Sequence, residues 1–210
     1  MNSQLSNIAI VAGGMPPKNI PKADFYIGVD RGALWLIKQG VTPDIAIGDF
    51  DSVTKTEKRG IHDAAKKYIE FSSKKDATDL ELAVVEAIKL HPKQVMMYGA
   101  LGGRFDHSIG AVQILLKLES HNILGQIVDN LNKIIIVRHK MTLQKDKKYQ
   151  YVSIIPFGSA ANVTLRGFLY NIVNKKLPID SSLGISNEII NKRATITVHQ
   201  GCALVVQSRD

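Results

Sequence analysis

The chain has 210 residues, 45% of them hydrophobic and 22% charged, proportions that exclude a disordered chain and allow roughly 70% of the unfolded surface to be buried without staples. Cys202 is the single cysteine, which rules out an internal disulfide; with no basic-then-apolar leader in residues 1–7 and no apolar run near the ~20 residues of a membrane helix, it points to a cytoplasmic protein. The net charge of +8 comes from lysines scattered in ones and twos, without an arginine-rich run or basic residues interleaved with aromatics, so neither nucleic acid nor a membrane is expected as a partner.

In chain order, Ile8–Ala12 is a short apolar run stopped by Gly13-Gly14, the pattern of a buried parallel strand. Phe25–Val29 is a second strand, Ala33–Gln39 a short helix ended by Gly40, and Ile45–Ile47 a third strand ended by Gly48. Lys55–Lys67 reads as a helix weakened by Gly60, and Tyr68–Phe71 as a strand. A helix from Thr78 to about Leu90 is closed off by Pro92. Val95–Tyr98 is a strand and Ser108–Leu118 a helix, followed by strands at Ile127-Val128 and Ile134–Val137. This alternation predicts an open α/β domain, mostly parallel, over residues 1–140. Beyond a turn at Lys145–Lys148, only short strands separated by Gly, Asn, Ser and Pro remain: Tyr151–Pro156, Ala161–Leu165, Ala194–Val198 and Ala203–Val206. They predict a small antiparallel β-sandwich over residues 141–210.

Three strand-to-helix junctions carry the chemistry. Gly48-Asp49-Phe50-Asp51-Ser52 follows the third strand, where ligands of open α/β sheets bind. Asp49 and Asp51 are two residues apart, so an extended segment points both carboxylates the same way. They repel unless a cation lies between them, and Mg²⁺ suits a few carboxylates with water and phosphate oxygens. The competing explanation is a turn in which Asp51 or Ser52 caps the next helix. Asp76-Ala77-Thr78-Asp79 opens a helix, and helix capping accounts for one of its aspartates but not for four carboxylates at successive strand ends. Gly99-Ala100-Leu101-Gly102-Gly103-Arg104-Phe105-Asp106-His107 joins a strand to a helix. Its glycines permit close backbone approach, its helix start attracts anions, and Arg104 can hold a phosphate bidentately. A sugar-nucleotide transferase with an Asp-x-Asp metal site would explain Asp49 and Asp51, but not the other two junctions.

Taken together and in this order, these three segments resemble the motifs of thiamine pyrophosphokinases. Val29-Asp30-Arg31-Gly32-Ala33 resembles that family's early Asp-Gly-Gly-Ala segment, with Arg31 in place of the first glycine, and Gly184-Ile185-Ser186-Asn187-Glu188 resembles its Ser-Asn motif. The resemblance implies Mg²⁺-dependent transfer of the pyrophosphoryl group of ATP to the hydroxyethyl arm of thiamine, giving thiamine diphosphate and AMP. It implies a homodimer with its sites between subunits. By analogy, Asp49, Asp51 and Asp76 hold Mg²⁺, and Asp79 helps to place the metal or the thiamine hydroxyl. Asp30, Gly103, Arg104, Asp106 and His107 bind the nucleotide, and Thr78, Asp79, Ser186 and Asn187 bind thiamine. Asp76 and Asp79 both remain candidates for proton acceptor. Animal members carry a tryptophan near the C-terminus that stacks on thiamine, whereas Ala203–Val206 is aliphatic here.

Overall fold

A computed structural model describes residues 5–15, 17–72, 74 and 76–210. They form two compact units, residues 1–130 and 131–210.

The first unit alternates β1 (Asn7–Val11), β2 (Phe25–Val29), α1 (Arg31–Lys38), β3 (Ile45–Gly48), α2 (Lys55–Ala64), β4 (Lys67–Glu70), α3 (Asp79–Lys89), β5 (Gln94–Tyr98), α4 (Phe105–Ser120) and β6 (Leu124–Val128). The six strands are parallel and lie in the order β6-β5-β1-β2-β3-β4. Ile8, Ala9, Ile10 and Val11 of β1 are wholly buried, as a central strand covered on both faces requires. From β1 the chain steps outwards through β2, β3 and β4, then returns through α3 to place β5 on the other side of β1. Because such crossovers are right-handed, α1 and α2 pack together on one face and α3 and α4 on the other. Helix α3 therefore lies across β1, β2 and β3, with its first residues at the carboxyl ends of those strands.

Local signals set the helix ends. Thr54 and Glu57 form a reciprocal capping box at the start of α2, which offsets the ~1 kcal/mol that the exposed Gly60 costs relative to alanine. Thr78 caps α3 by accepting a hydrogen bond from the Glu81 N–H at 3.2 Å.

The second unit contains β7 (Asn132–Val137), β8 (Lys140–Gln144), β9 (Tyr151–Pro156), β10 (Ala161–Arg166), β11 (Ile172–Leu177), β12 (Asn187–Glu188), β13 (Arg193–Gln200) and β14 (Ala203–Ser208). One sheet runs β12-β9-β14-β7 and the other β11-β10-β13-β8, all antiparallel. Their inner faces supply one core, including Val137, Val152, Ile154, Val163, Leu165, Phe168, Leu177, Ile196 and Val205, which makes a sandwich. Strand β7 was read from sequence as part of the first domain, before a boundary at 140. It groups with the second unit, where it pairs with β14 along six residues. Among the described residues, no helix is long and apolar enough to cross a membrane.

Candidate active site

The carboxyl ends of β2 and β3 and the start of α3 bring three carboxylates together. Asp30 follows β2, Asp49 follows β3 and Asp79 opens α3. One oxygen from each lies within 4.8 Å of the other two. In octahedral Mg²⁺ coordination, oxygens ~2.1 Å from the ion are ~3 to ~4 Å apart. Three hard oxygen donors at this spacing therefore fit Mg²⁺ after a small inward movement.

The local backbone is shaped around this cluster. Asp30 has φ 49° and Phe50 φ 57°, positions that non-glycine residues avoid except where the surroundings hold them. The Asp30 N–H donates to the Ile47 carbonyl at 3.0 Å, and its carboxylate accepts the Phe50 N–H at 3.0 Å. Gly48 gives the carboxylate its room, since a Cβ there would lie 1.8 Å from Asp30 Oδ1. At Gly32 a Cβ would lie 1.8 Å from the Val11 carbonyl oxygen, so only glycine lets α1 start against the end of β1. Phe50 points away from the acids into the core, stacked on Tyr68 with ring centroids 4.7 Å apart and packed near Ala33, Ala46 and Ile61. It anchors the loop whose flanking aspartates face outwards.

Electrostatics record the crowding. Burial pushes the Asp30 carboxyl up to about 6, partly offset by the Phe50 hydrogen bond, and the charges of Asp79, Asp49 and Asp51 raise it further. A divalent cation would relieve that repulsion.

The expected metal set was Asp49, Asp51 and Asp76. The described structure gathers Asp49 with Asp30 and Asp79 instead. Asp51 is exposed on the same loop, where its N–H donates to Asp49 Oδ1 at 3.1 Å. Asp76 is exposed two residues before the Thr78 cap. Side-chain capping explains none of these acids: Thr54 and Thr78 cap α2 and α3, and Asp30, at the N-cap position of α1, makes no side-chain cap hydrogen bond. Thr78, expected at the substrate, spends its hydroxyl oxygen on the cap.

The glycine-arginine loop follows β5. Gly102 and Gly103 have φ 94° and 68°, and the exposed Arg104 pairs with Asp106 through two hydrogen bonds. This pairing holds the Asp106 carboxyl below its usual range and raises Arg104. The exposed His107 donates its backbone N–H to Asp106 at 3.0 Å. Asp106 lies in the first turn of α4, behind Arg104 at the N-cap position.

In the second unit, a cavity of about 450 Å³ is lined by Tyr170, Ser181, Ser182, Leu183, Gly184, Ile185 and Asn187. Asn187 is 3% exposed. Its Oδ1 accepts the Tyr170 N–H at 3.0 Å and its Nδ2 donates to the Tyr170 carbonyl at 2.9 Å. Asn187 thus acts on the backbone of Tyr170, whose own side chain is 67% exposed. Ser186 is exposed at φ 55°, its N–H bound to Ser153 Oγ at 3.0 Å. Sequence reasoning missed Tyr170 and the anchoring role of Phe50. An aromatic residue between two aspartates is the only trace Phe50 leaves in the sequence.

Residues 17–127 match the family description "Thiamin pyrophosphokinase, catalytic domain", and residues 138–203 match "Thiamin pyrophosphokinase, vitamin B1 binding domain". The chain belongs to the thiamine pyrophosphokinase family. The thiamine pyrophosphokinase of Bacillus subtilis (strain 168) is 38% identical, with 98% of this chain and 100% of that one covered. Crystal structures of thiamine pyrophosphokinases from Bacillus subtilis and Geobacillus thermodenitrificans superpose with TM-scores of 0.90 and 0.85. Their identities are 36% and 33%, covering 98% and 97% of this chain and 100% and 98% of theirs. The acid triad and the Arg104 loop fall within the segment matched as catalytic. The Tyr170–Asn187 cavity falls within the segment matched as vitamin B1 binding.

Proposed function

We propose that this chain is a Mg²⁺-dependent thiamine pyrophosphokinase of the cytoplasm, acting as a homodimer. It transfers the pyrophosphoryl group of ATP to the hydroxyl of thiamine and releases AMP. The observation that carries this reading is the convergence of Asp30, Asp49 and Asp79 at the carboxyl ends of a parallel sheet, in a chain of this family.

Asp30, Asp49 and Asp79 would hold Mg²⁺, with Asp51 and Asp76 completing the site when the polyphosphate is bound. The ion would neutralise charge on the phosphate oxygens. Arg104 would exchange Asp106 for a phosphate, a geometry that its planar fork fits. Gly103 would let the nucleotide approach the backbone, with Asp106 and His107 beside it. Thiamine would occupy the cavity of the second unit, its cationic ring system over the exposed face of Tyr170, beside Ser186. Tyr170 would thereby supply the aromatic surface that the aliphatic Ala203–Val206 strand lacks.

The test is product formation by the purified protein with ATP, Mg²⁺ and thiamine. AMP and thiamine diphosphate are expected in equal amounts, and only in the complete mixture. Asp49→Asn is expected to lose at least about a hundredfold in turnover, while its metal-free melting temperature stays level or rises because a repelling charge is gone. AMP formed without thiamine, or no thiamine diphosphate in the complete mixture, would sink the proposal.

A further inference from the structure

The segment between β3 and α2 must present Asp49 to a fixed point beside two other carboxylates, against their mutual repulsion, and it has neither helix nor strand to stiffen it. Among the described residues, Val53 packs against the core beneath it, and three contacts tie the segment down around Asp51. The Phe50 ring is buried against Tyr68. The Phe50 N–H binds Asp30. On the far side of Asp51, the exposed Arg31 sends both Nε, at 3.2 Å, and Nη2 to the Ser52 carbonyl oxygen. Two adjacent residues, Asp30 and Arg31, therefore grip the loop on either side of Asp51. Gly32 lets α1 begin close against the end of β1, so the grip comes from a rigid base.

We infer that Arg31 is a positioning residue for the metal-binding carboxylates. It acts through the Ser52 carbonyl to hold residues 49–52 in the conformation that aims Asp49 at Asp30 and Asp79. The consequence for metal rests on the reading above, whereas the consequence for the loop does not. Charge and position make opposite predictions, which allows a clean test. A guanidinium beside an acidic site repels a cation, so its removal on charge alone tightens cation binding. Removal of a loop brace weakens it.

The experiment measures Mn²⁺ binding to the purified full-length protein by electron paramagnetic resonance, for wild type, Arg31→Ala, Arg31→Lys and Asp49→Asn. Amide hydrogen exchange is followed at Phe50 and Asp51. Arg31→Ala is expected to bind Mn²⁺ about tenfold more weakly, as loss of its charge-assisted contact with the Ser52 carbonyl implies, with several-fold faster exchange at both amides. Arg31→Lys, which keeps one donor, is expected to recover part of both. Mn²⁺ affinity equal to or above wild type in Arg31→Ala, with unchanged exchange, overturns the inference. Normal Mn²⁺ affinity with weakened binding of metal-free ATP also overturns it and assigns Arg31 to the phosphates. If Asp49→Asn still binds Mn²⁺ like wild type, the metal reading fails, and the amide exchange alone decides the role of Arg31.

Discussion

At the scale of single residues, the site is built on positions that sequence statistics disfavour. Asp30 sits at φ 49° with its carboxyl pushed up to about 6. Its unfolded counterpart ionises near 3.8. Between those values the native state keeps a proton that the unfolded state has lost, so raising the pH through this window costs native stability. The metal-free protein is therefore expected to lose stability from about pH 4 to about pH 6 on account of this group, and Asp30→Asn is expected to remove that part of the slope. Denaturant unfolding in the presence of a chelator, compared for the two proteins across that range, checks it; parallel pH profiles would contradict the assignment. The aspartates themselves were legible in sequence because of their order and spacing. Which three converge was not, since that depends on α3 folding back over β1, β2 and β3, a crossover no local pattern records.

At the scale of elements, the first unit was readable almost strand by strand, because buried parallel strands and amphipathic helices write different periods into the chain. The second unit was less so. Strands β8 and β11 escaped notice: Ile172–Leu177 has exposed residues from Val173 to Lys176, as an edge strand allows, and so shows no hydrophobic alternation. The turn between β10 and β11 gains its order from Asn187, far along the chain. Asn187→Ala would leave the Tyr170 N–H and carbonyl without their partner and is expected to cost about 1–3 kcal/mol of stability, together with a higher KM for thiamine. Tyr170→Ala, at an exposed side chain, is expected to raise the thiamine KM with little change in melting temperature. Steady-state kinetics in thiamine and in ATP, with thermal melts, separate the two. An effect of Tyr170→Ala on ATP alone would remove the tyrosine from the thiamine side.

At the scale of the whole molecule, the second unit leaves a run of large apolar side chains exposed. Leu169, Tyr170, Val173, Ile179, Leu183, Ile185 and Ile190 are each 46–73% exposed, all within one stretch of some twenty residues. Exposure of this kind marks a surface that meets another molecule, and the proposed homodimer supplies one. Val173→Glu combined with Ile179→Glu is expected to convert a dimer into a monomer in sedimentation velocity, whereas a wild-type protein that sediments as a monomer would refute the dimer.

The strand order has a further consequence. The acid loop at Asp30 leaves the end of β2, and the arginine loop leaves the end of β5, with β1 between them. At ~4.8 Å per strand, the two loops spring from points ~10 Å apart. A lone phosphate can touch one bank of that gap but not both, whereas a nucleoside polyphosphate is long enough to span it. The sheet thus works as a gauge of ligand length, set by how many strands the chain places between two loops and not by the chemistry of either.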